Sequence, residues 1–307
     1  MGSTTGIAWT DCTFNPWRGC TKVSAGCANC YAEKMSKRNP AVLGEWGPHG
    51  QRAMAAPSYW RLPAQWDKAA KRDGVRRRVF CASLADVFED RPELVGPRRT
   101  LFSTIAATPN LDWLLLTKRP ENIARLIPDA CLPNVWLGVS VEDQAAAVAR
   151  IPILLDTPAA VRFVSYEPSL GPVRFDRLAT ADLGRLDALR GCHFVDGRNE
   201  PLPTPRIDWL IVGGESGPTA RPFDIAWARS VVEQCKAAGV ACFVKQVGAN
   251  PVPLAPMRLP SYNALTGRRH RGWLEDGPHA ISDPAGADPA EWPEDLRVRE
   301  FPEVERG

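Results

Sequence analysis

The sequence is poor in histidine. His49, His193, His270 and His279 are its only four, none makes a zinc-protease spacing, and none has an obvious nucleophile beside it. It has no G-x-G-x-x-G fingerprint and no Walker-type lysine loop, so dinucleotide and nucleoside-triphosphate readings gain little support. No run approaches the roughly 18 to 20 apolar residues that span a bilayer. A basic region followed by an apolar run is also missing from the N-terminus. These absences predict a cytoplasmic protein with no membrane partner. An excess of one charge is lacking as well: 38 Lys and Arg face 35 Asp and Glu, a net charge of +3 that decides nothing about a nucleic-acid partner. Locally, Lys68, Lys71, Arg72, Arg76, Arg77 and Arg78 form a basic run. It reads either as a solvated helix face with its loop or as a phosphate-binding patch.

The remaining composition is that of a globular protein, 44% apolar and 24% charged, and 307 residues suffice for one large α/β domain or two smaller ones. Eleven tryptophans and 29 prolines predict many ordered loops. Of nine cysteines, Cys12, Cys81, Cys131, Cys192, Cys235 and Cys242 are scattered, and a reducing compartment makes disulfides unexpected. Cys20, Cys27 and Cys30 are clustered with the spacing C-x6-C-x2-C. Thiolates this close can converge on one metal centre. Three are too few to close a tetrahedral zinc site but suit a four-iron cluster with one iron left open. The alternative is a structural zinc knuckle completed by Cys12 or a histidine. Gly19 and Gly26 let the chain turn tightly, and residues 31–38 read as a helix leading away.

Beyond an irregular, aromatic-rich stretch at 39–66, strands and helices alternate. Strands are expected at 78–83, 113–120, 134–142, 161–168, 208–216 and 241–246, with a possible first strand at 6–10. Helices are expected at 92–108, 121–127, 143–155 and 222–238, the last closed by Gly239. Near-continuous apolar strands between amphipathic helices predict an α/β fold with a parallel sheet, as a partial or complete (β/α) barrel. An open doubly wound sheet is the alternative. Residues 171–207 look like an insertion. The expected division is a catalytic domain at 1–250 and an irregular C-terminal extension at 251–307, where Trp273 and the basic cluster at 268–271 are candidates to close over a site.

The predicted strands end in polar residues: Ser83 and Asp86; Thr117, Lys118 and Arg119; Ser140 and Glu142; Ser165 and Glu167; Glu215 and Ser216; Lys245 and Gln246. Catalytic groups gather at this end of parallel barrels. One such charge could cap the following helix, but six in step are hard to explain that way. Gly213 and Gly214, just before Glu215, permit close backbone approach to a ligand.

With the cysteine loop at its start and repeated β/α units behind it, the chain resembles the radical S-adenosylmethionine superfamily. More closely, it resembles the phage-associated three-Cys-motif proteins. The segments that carry this likeness include 7–17, 19–24, 27–33, 116–120, 137–140, 165–168, 213–217, 243–246 and 292–299. The resemblance implies a radical-SAM-like fold in which Cys20, Cys27 and Cys30 hold a [4Fe–4S] cluster. Its open iron would chelate S-adenosylmethionine, and reduction would release a 5′-deoxyadenosyl radical that abstracts hydrogen from a substrate. Ser83, Ser140, Glu167, Gly213, Gly214 and Glu215 are then the candidates for cofactor contacts. Lys118 and Lys245 are the catalytic candidates. With Arg119 and Gln246, they are placed to hold an anionic substrate or the cofactor carboxylate. A nucleic acid or nucleotide is the expected substrate, in modification or repair, and an electron donor such as flavodoxin or ferredoxin the expected partner.

The chain departs from the superfamily in three places. The first cysteine gap is six residues instead of three, Asn29 stands where an aromatic residue often precedes the third cysteine, and Gly213-Gly214-Glu215 comes late. A zinc-stabilised nucleic-acid-binding protein without catalysis is the rival reading. A hydrolase using Asp86, Glu142, Glu167 and Glu215 with a divalent metal is the third.

Overall fold

Seven parallel strands follow one another across the main sheet in the order they occur in the chain. In this computed structural model, which describes residues 5–127, 133–181, 183–252 and 281–304, they are β1 (Cys12–Thr13), β2 (Arg77–Cys81), β3 (Leu111–Thr117), β4 (Val135–Ser140), β5 (Val161–Tyr166), β6 (Trp209–Gly213) and β7 (Ala241–Gln246). A doubly wound sheet reverses its strand order at a switch point. Here there is no reversal, and the sheet curls into a half barrel. Cys131, Trp273, His270, His279 and the basic cluster at 268–271 lie outside the described residues.

Six strands fall where the apolar runs place them, but the first does not. Residues 6–10 form a turn, with Thr10 N donating to Ile7 O at 3.3 Å, and Trp9 drops into the barrel interior. Pairing with β2 begins later, with Asp11 N donating to Arg78 O at 3.0 Å and Phe14 N to Phe80 O at 2.9 Å. The stretch at 39–66 is also less irregular than its prolines imply. The helix α2 (Leu62–Asp73) begins inside it, with Pro63 in its first turn, where a missing N–H costs nothing. The cysteine loop leads into α1 (Tyr31–Ser36). The other long helices are α3 (Val95–Ala106), α4 (Gln144–Leu155) and α5 (Ile225–Ala238). Asp143 caps α4 by accepting from Ala146 N at 2.8 Å, and Asp224 caps α5 by accepting from Ala226 N at 2.9 Å.

Side chains alternate between the faces of a strand, and this period divides the core in two. Val79, Trp113, Leu115, Leu137, Val164, Leu210 and Val244 face the helices. Their neighbours Phe80, Leu114, Trp136, Phe163, Trp209, Ile211 and Phe243 fill the concave side with Trp9. Gly138 belongs to this inner row because the Phe163 ring lies against it: a Cβ there would come within 2.4 Å of the ring. One step further along the same inner rows stand Lys118, Ser140, Ser165, Glu167, Gly213 and Lys245. The concave face is therefore aromatic below and polar at the top.

The C-terminal segment covers the last strand. Val244 N donates to Val298 O and Glu300 N to Cys242 O, so residues 298–300 run antiparallel to β7 and occupy its open edge. Phe301 then crosses the lower end of the barrel, 5.4 Å from Trp209 and 5.3 Å from Phe243, with the Arg78 guanidinium 3.8 Å from its ring centre. Between β5 and β6 lies a separate four-stranded antiparallel sheet of Leu178–Ala179, Arg185–Asp187, Cys192–Phe194 and Leu202–Pro203. No helix among the described residues is long and apolar enough to cross a membrane.

Candidate active site

A cavity of about 700 Å³ opens at the carboxyl ends of the strands. Trp9 and Phe80 line its deep end, and Lys118, Ser140, Glu167, Gly214 and Lys245 line its upper wall. Cys20, Cys27 and Cys30 all lie on its rim as free thiols. Ser83 and Glu215 line it too. Gly213 sits just behind the wall, where a Cβ would come within 2.5 Å of Glu167 Oε1.

The cysteine loop is fastened to the ends of alternate strands. After β2, the Ser83 carbonyl accepts from Tyr31 Oη at 2.7 Å. After β4, Glu142 accepts from Ser24 Oγ at 2.6 Å. After β6, Glu215 accepts from Asn29 Nδ2 at 2.9 Å. Gly26 has a different role from the turn expected of it. Its backbone lies on Glu142, whose Oε1 would be 2.4 Å from an added Cβ. Gly19, at φ 105°, does supply a left-handed turn.

Cys20 is held most firmly. Arg119 Nη1 lies 3.7 Å from its Sγ and 2.8 Å from Asp86 Oδ2, while Arg119 Nη2 donates to Thr21 O. Asp86 is oriented by Thr117 Oγ1 at 2.8 Å and Lys118 N at 3.1 Å. Behind them Arg52 makes two hydrogen bonds to Glu89 and one to Thr21 Oγ1. Burial pushes the Cys20 thiol up to about 12, Asp86 adds to the shift, and Arg119 opposes it. Without a metal, this sulfur therefore carries its proton at neutral pH. Glu215 goes the other way. Burial raises it, but hydrogen bonds from Arg221 and Asn29 outweigh that and hold it below the usual carboxylate range.

The ion pairs sort the candidates. Arg119 is committed to Asp86 and the loop, and Gln246 Nε2 donates to Gly214 O at 2.6 Å, so neither is free for an anionic ligand. Glu215 is bound by Arg221 and Asn29, which makes it a fastening for the loop. Glu167 pairs with Lys245 at 2.9 Å inside the cavity, and Lys118 stands 4.0 Å from Glu142, whose other oxygen takes Arg150 at 2.8 Å. Asp86, Glu142, Glu167 and Glu215 are each matched to a cation, which leaves no acidic cluster for the divalent metal of a hydrolase. Among the described residues, no three His, Cys, Asp or Glu side chains form a group that could hold a metal ion as they stand.

Cys12 is not the fourth ligand a zinc knuckle requires. It lies 2% exposed on the helix-facing side of the sheet, packed in the main core, and does not line the cavity. His49 and His193 do not line it either. The sequence reading missed Asn15, which donates to Ser83 Oγ at 3.1 Å and accepts from Leu84 N at 2.8 Å. It also missed Ser24 and the Arg52–Glu89 pair. The first two stand in or beside the quoted motifs, but nothing in their spacing reveals a partner more than sixty positions away.

Fold and site together define an α/β half-barrel protein whose cysteine loop caps a cavity with an aromatic floor and a charged wall. A family model described as a protein of unknown function (DUF5131) matches residues 4–274, and the chain belongs to that family. No curated protein and no solved structure matches it.

Proposed function

We propose that the protein is a radical S-adenosylmethionine enzyme, allied to the phage-associated three-Cys-motif proteins, that acts on a nucleic acid or nucleotide. One observation carries the reading: three free cysteines of one short loop share the rim of a single cavity at the carboxyl ends of a curled parallel sheet. The donor set fits a [4Fe–4S] cluster in kind and in number, with no fourth thiol lining the cavity among the described residues. Loading would have to draw Cys20, Cys27 and Cys30 together, because they do not form a metal-binding group as they stand.

Cys20, Cys27 and Cys30 would hold such a cluster, and the chemistry it would supply is one-electron reduction of the sulfonium of S-adenosylmethionine. The chain's own residues position and shield. Asp86 and Arg119 fix Cys20, and Glu142 and Glu215 fix the loop around Cys27 and Cys30. Trp9 and Phe80 close the deep end against water, a requirement of any radical held near substrate. Lys118, 4.0 Å from Glu142, and Lys245, paired with Glu167, still face the cavity and would offer cations to an anionic group that displaces those contacts, and Ser83, Ser140, Glu167 and the Gly214 backbone would offer polar contacts to the cofactor. Flavodoxin or ferredoxin is the class of electron donor required.

Replacing Cys20, Cys27 and Cys30 separately with alanine tests the proposal. The expected result is a folded protein that loses iron and no longer produces 5′-deoxyadenosine under reducing conditions. Unchanged product formation in all three variants would contradict it.

A further inference from the structure

We infer that the outer lip of the cavity, built on α1, is a docking site for single-stranded nucleic acid. The inference rests on the nucleic-acid reading above and gives that substrate a place and a strandedness.

The arginines of the basic run at 68–78 do not serve, and its exposed Lys68 and Lys71 stand on α2 outside the cavity lining. Arg76, Arg77 and Arg78 lie at the start of β2, the end of the barrel away from the cavity, and each is engaged. Arg76 donates to Asp112, Pro109 O and Leu111 O; Arg77 pairs with Asp73; Arg78 pairs with Asp11 and lies over Phe301.

The basic charge that adjoins the cavity is on the cysteine loop and α1. Residues 20–38 hold Lys22, Lys34, Lys37 and Arg38 against the single carboxylate of Glu33, an excess equal to the whole chain's +3. Lys22 and Lys37 share the Glu33 carboxylate, at 2.6 and 3.9 Å, and Lys34 donates to Thr219 Oγ1 at 2.7 Å, yet the Lys37 and Lys22 side chains are 73% and 44% exposed, and Arg38 is exposed. On the same helix Tyr31 and Met35, four residues apart and so on one face, are 51% and 44% exposed, and both line the cavity. Trp46 and Tyr59 continue that apolar wall.

A cationic strip beside exposed rings is how proteins hold single strands: phosphates follow the charges, and bases stack on the rings whatever their identity. The recessed wall of Lys118 and Lys245 adds the reason for strandedness. A base inside a duplex reaches such a pocket only by leaving its stack, whereas a single strand lays one base into the cavity and its neighbours along the lip. An acidic donor protein could use the same cations. It would not account for Tyr31 and Met35 being continuous with the cavity wall.

The test is fluorescence anisotropy with a labelled oligonucleotide of about 12 nucleotides, single-stranded and as a duplex, over a salt series. Iron content is assayed on the same samples. The single strand is expected to bind more tightly than the duplex, with log K falling by about 2 per decade of salt for three neutralised phosphates. Lys37→Glu with Arg38→Glu should weaken binding about tenfold or more and flatten that slope. Tyr31→Ala should weaken it about tenfold, while Tyr31→Phe, which keeps the ring and loses the bond to Ser83 O, should weaken it much less. Equal affinity for the duplex, or a slope indifferent to the charge reversal, would overturn the inference. So would the finding that the double variant loses reduction by flavodoxin while the wild type binds no oligonucleotide. Because binding is read whatever the iron content, an iron-free protein that binds leaves this site standing and sinks only the radical reading. A loaded, active protein that binds no strand does the reverse.

Discussion

The two ends of the half barrel are built by the same strands and behave as different materials. At the lower end the inner rows are Phe80, Trp136, Phe163, Trp209 and Phe243, closed by Trp9 and Phe301. At the mouth the same rows end in Lys118, Ser140, Glu167 and Lys245, and nearly every carboxylate has a cationic partner. The lower end is held chiefly by area removed from water, which does not depend on the charge state of any one group. The mouth is held by hydrogen bonds and ion pairs, which are directional and which leave costly unpaired charges when one partner goes. A period of two in the strands lets one sheet carry both: a packed floor that needs no adjustment, and a rim that fixes a loop in place.

The largest effect should come from breaking the floor. Trp209→Ala removes a fully buried indole that touches rings on several sides, and should cost about 3–5 kcal/mol in denaturant unfolding. Iron bound per folded molecule should stay the same, since no loop contact is touched. Next is Arg119→Met at the mouth. It leaves Asp86 buried without its cation, at a cost of about 3 kcal/mol. Unlike the floor variant, it should also lower the iron retained after anaerobic reconstitution, because Cys20 and Thr21 lose their anchor. Equal iron retention in the two variants would dissolve the distinction between the ends. Gly26→Ala should be milder in unfolding, about 1–2 kcal/mol, as Glu142 shifts to admit the methyl group. Its mark is faster alkylation of Cys27 and Cys30 by a thiol reagent at fixed pH.

The smallest effect concerns pH. The Glu215 carboxyl is held down by Arg221 and Asn29, so its contribution is present above its unfolded pKa, near the 4.5 of a free glutamate, and is lost as pH falls through its lower folded value. The difference in Tm between the wild type and Glu215→Gln should be largest above about pH 5 and close below it. A gap that is constant across that range would mean the carboxylate does not fasten the loop through its charge.

The fold was legible because apolar runs with β-branched and aromatic residues, separated by capped helices, leave few choices. Six strands and the capped helices at 144–155 and 225–238 stand where the pattern places them. The first strand was misplaced because Ile7 and Trp9 are apolar for another reason: they fill the barrel interior from a turn. The site was legible in its composition and not in its wiring. Polar strand ends marked the mouth, but nothing local tells that Glu215 and Arg119 are spent on the cysteine loop while Lys118 and Lys245 face the cavity. Their partners are 186 positions away for Asn29 with Glu215 and 99 for Cys20 with Arg119. Parity along the strand was the available signal. Lys118, Ser140, Glu167 and Lys245 share the register of the inner aromatics, whereas Thr117 shares that of the helix-facing rows.

The most direct test is metal analysis of anaerobically purified protein: iron, sulfide and zinc per chain, followed by low-temperature EPR after dithionite reduction, with and without S-adenosylmethionine. The account predicts about four irons and four sulfides per chain and a signal that shifts when the cofactor is added. One zinc, no iron and no signal would contradict it, and the cysteine loop would then be a structural cap over a binding cavity.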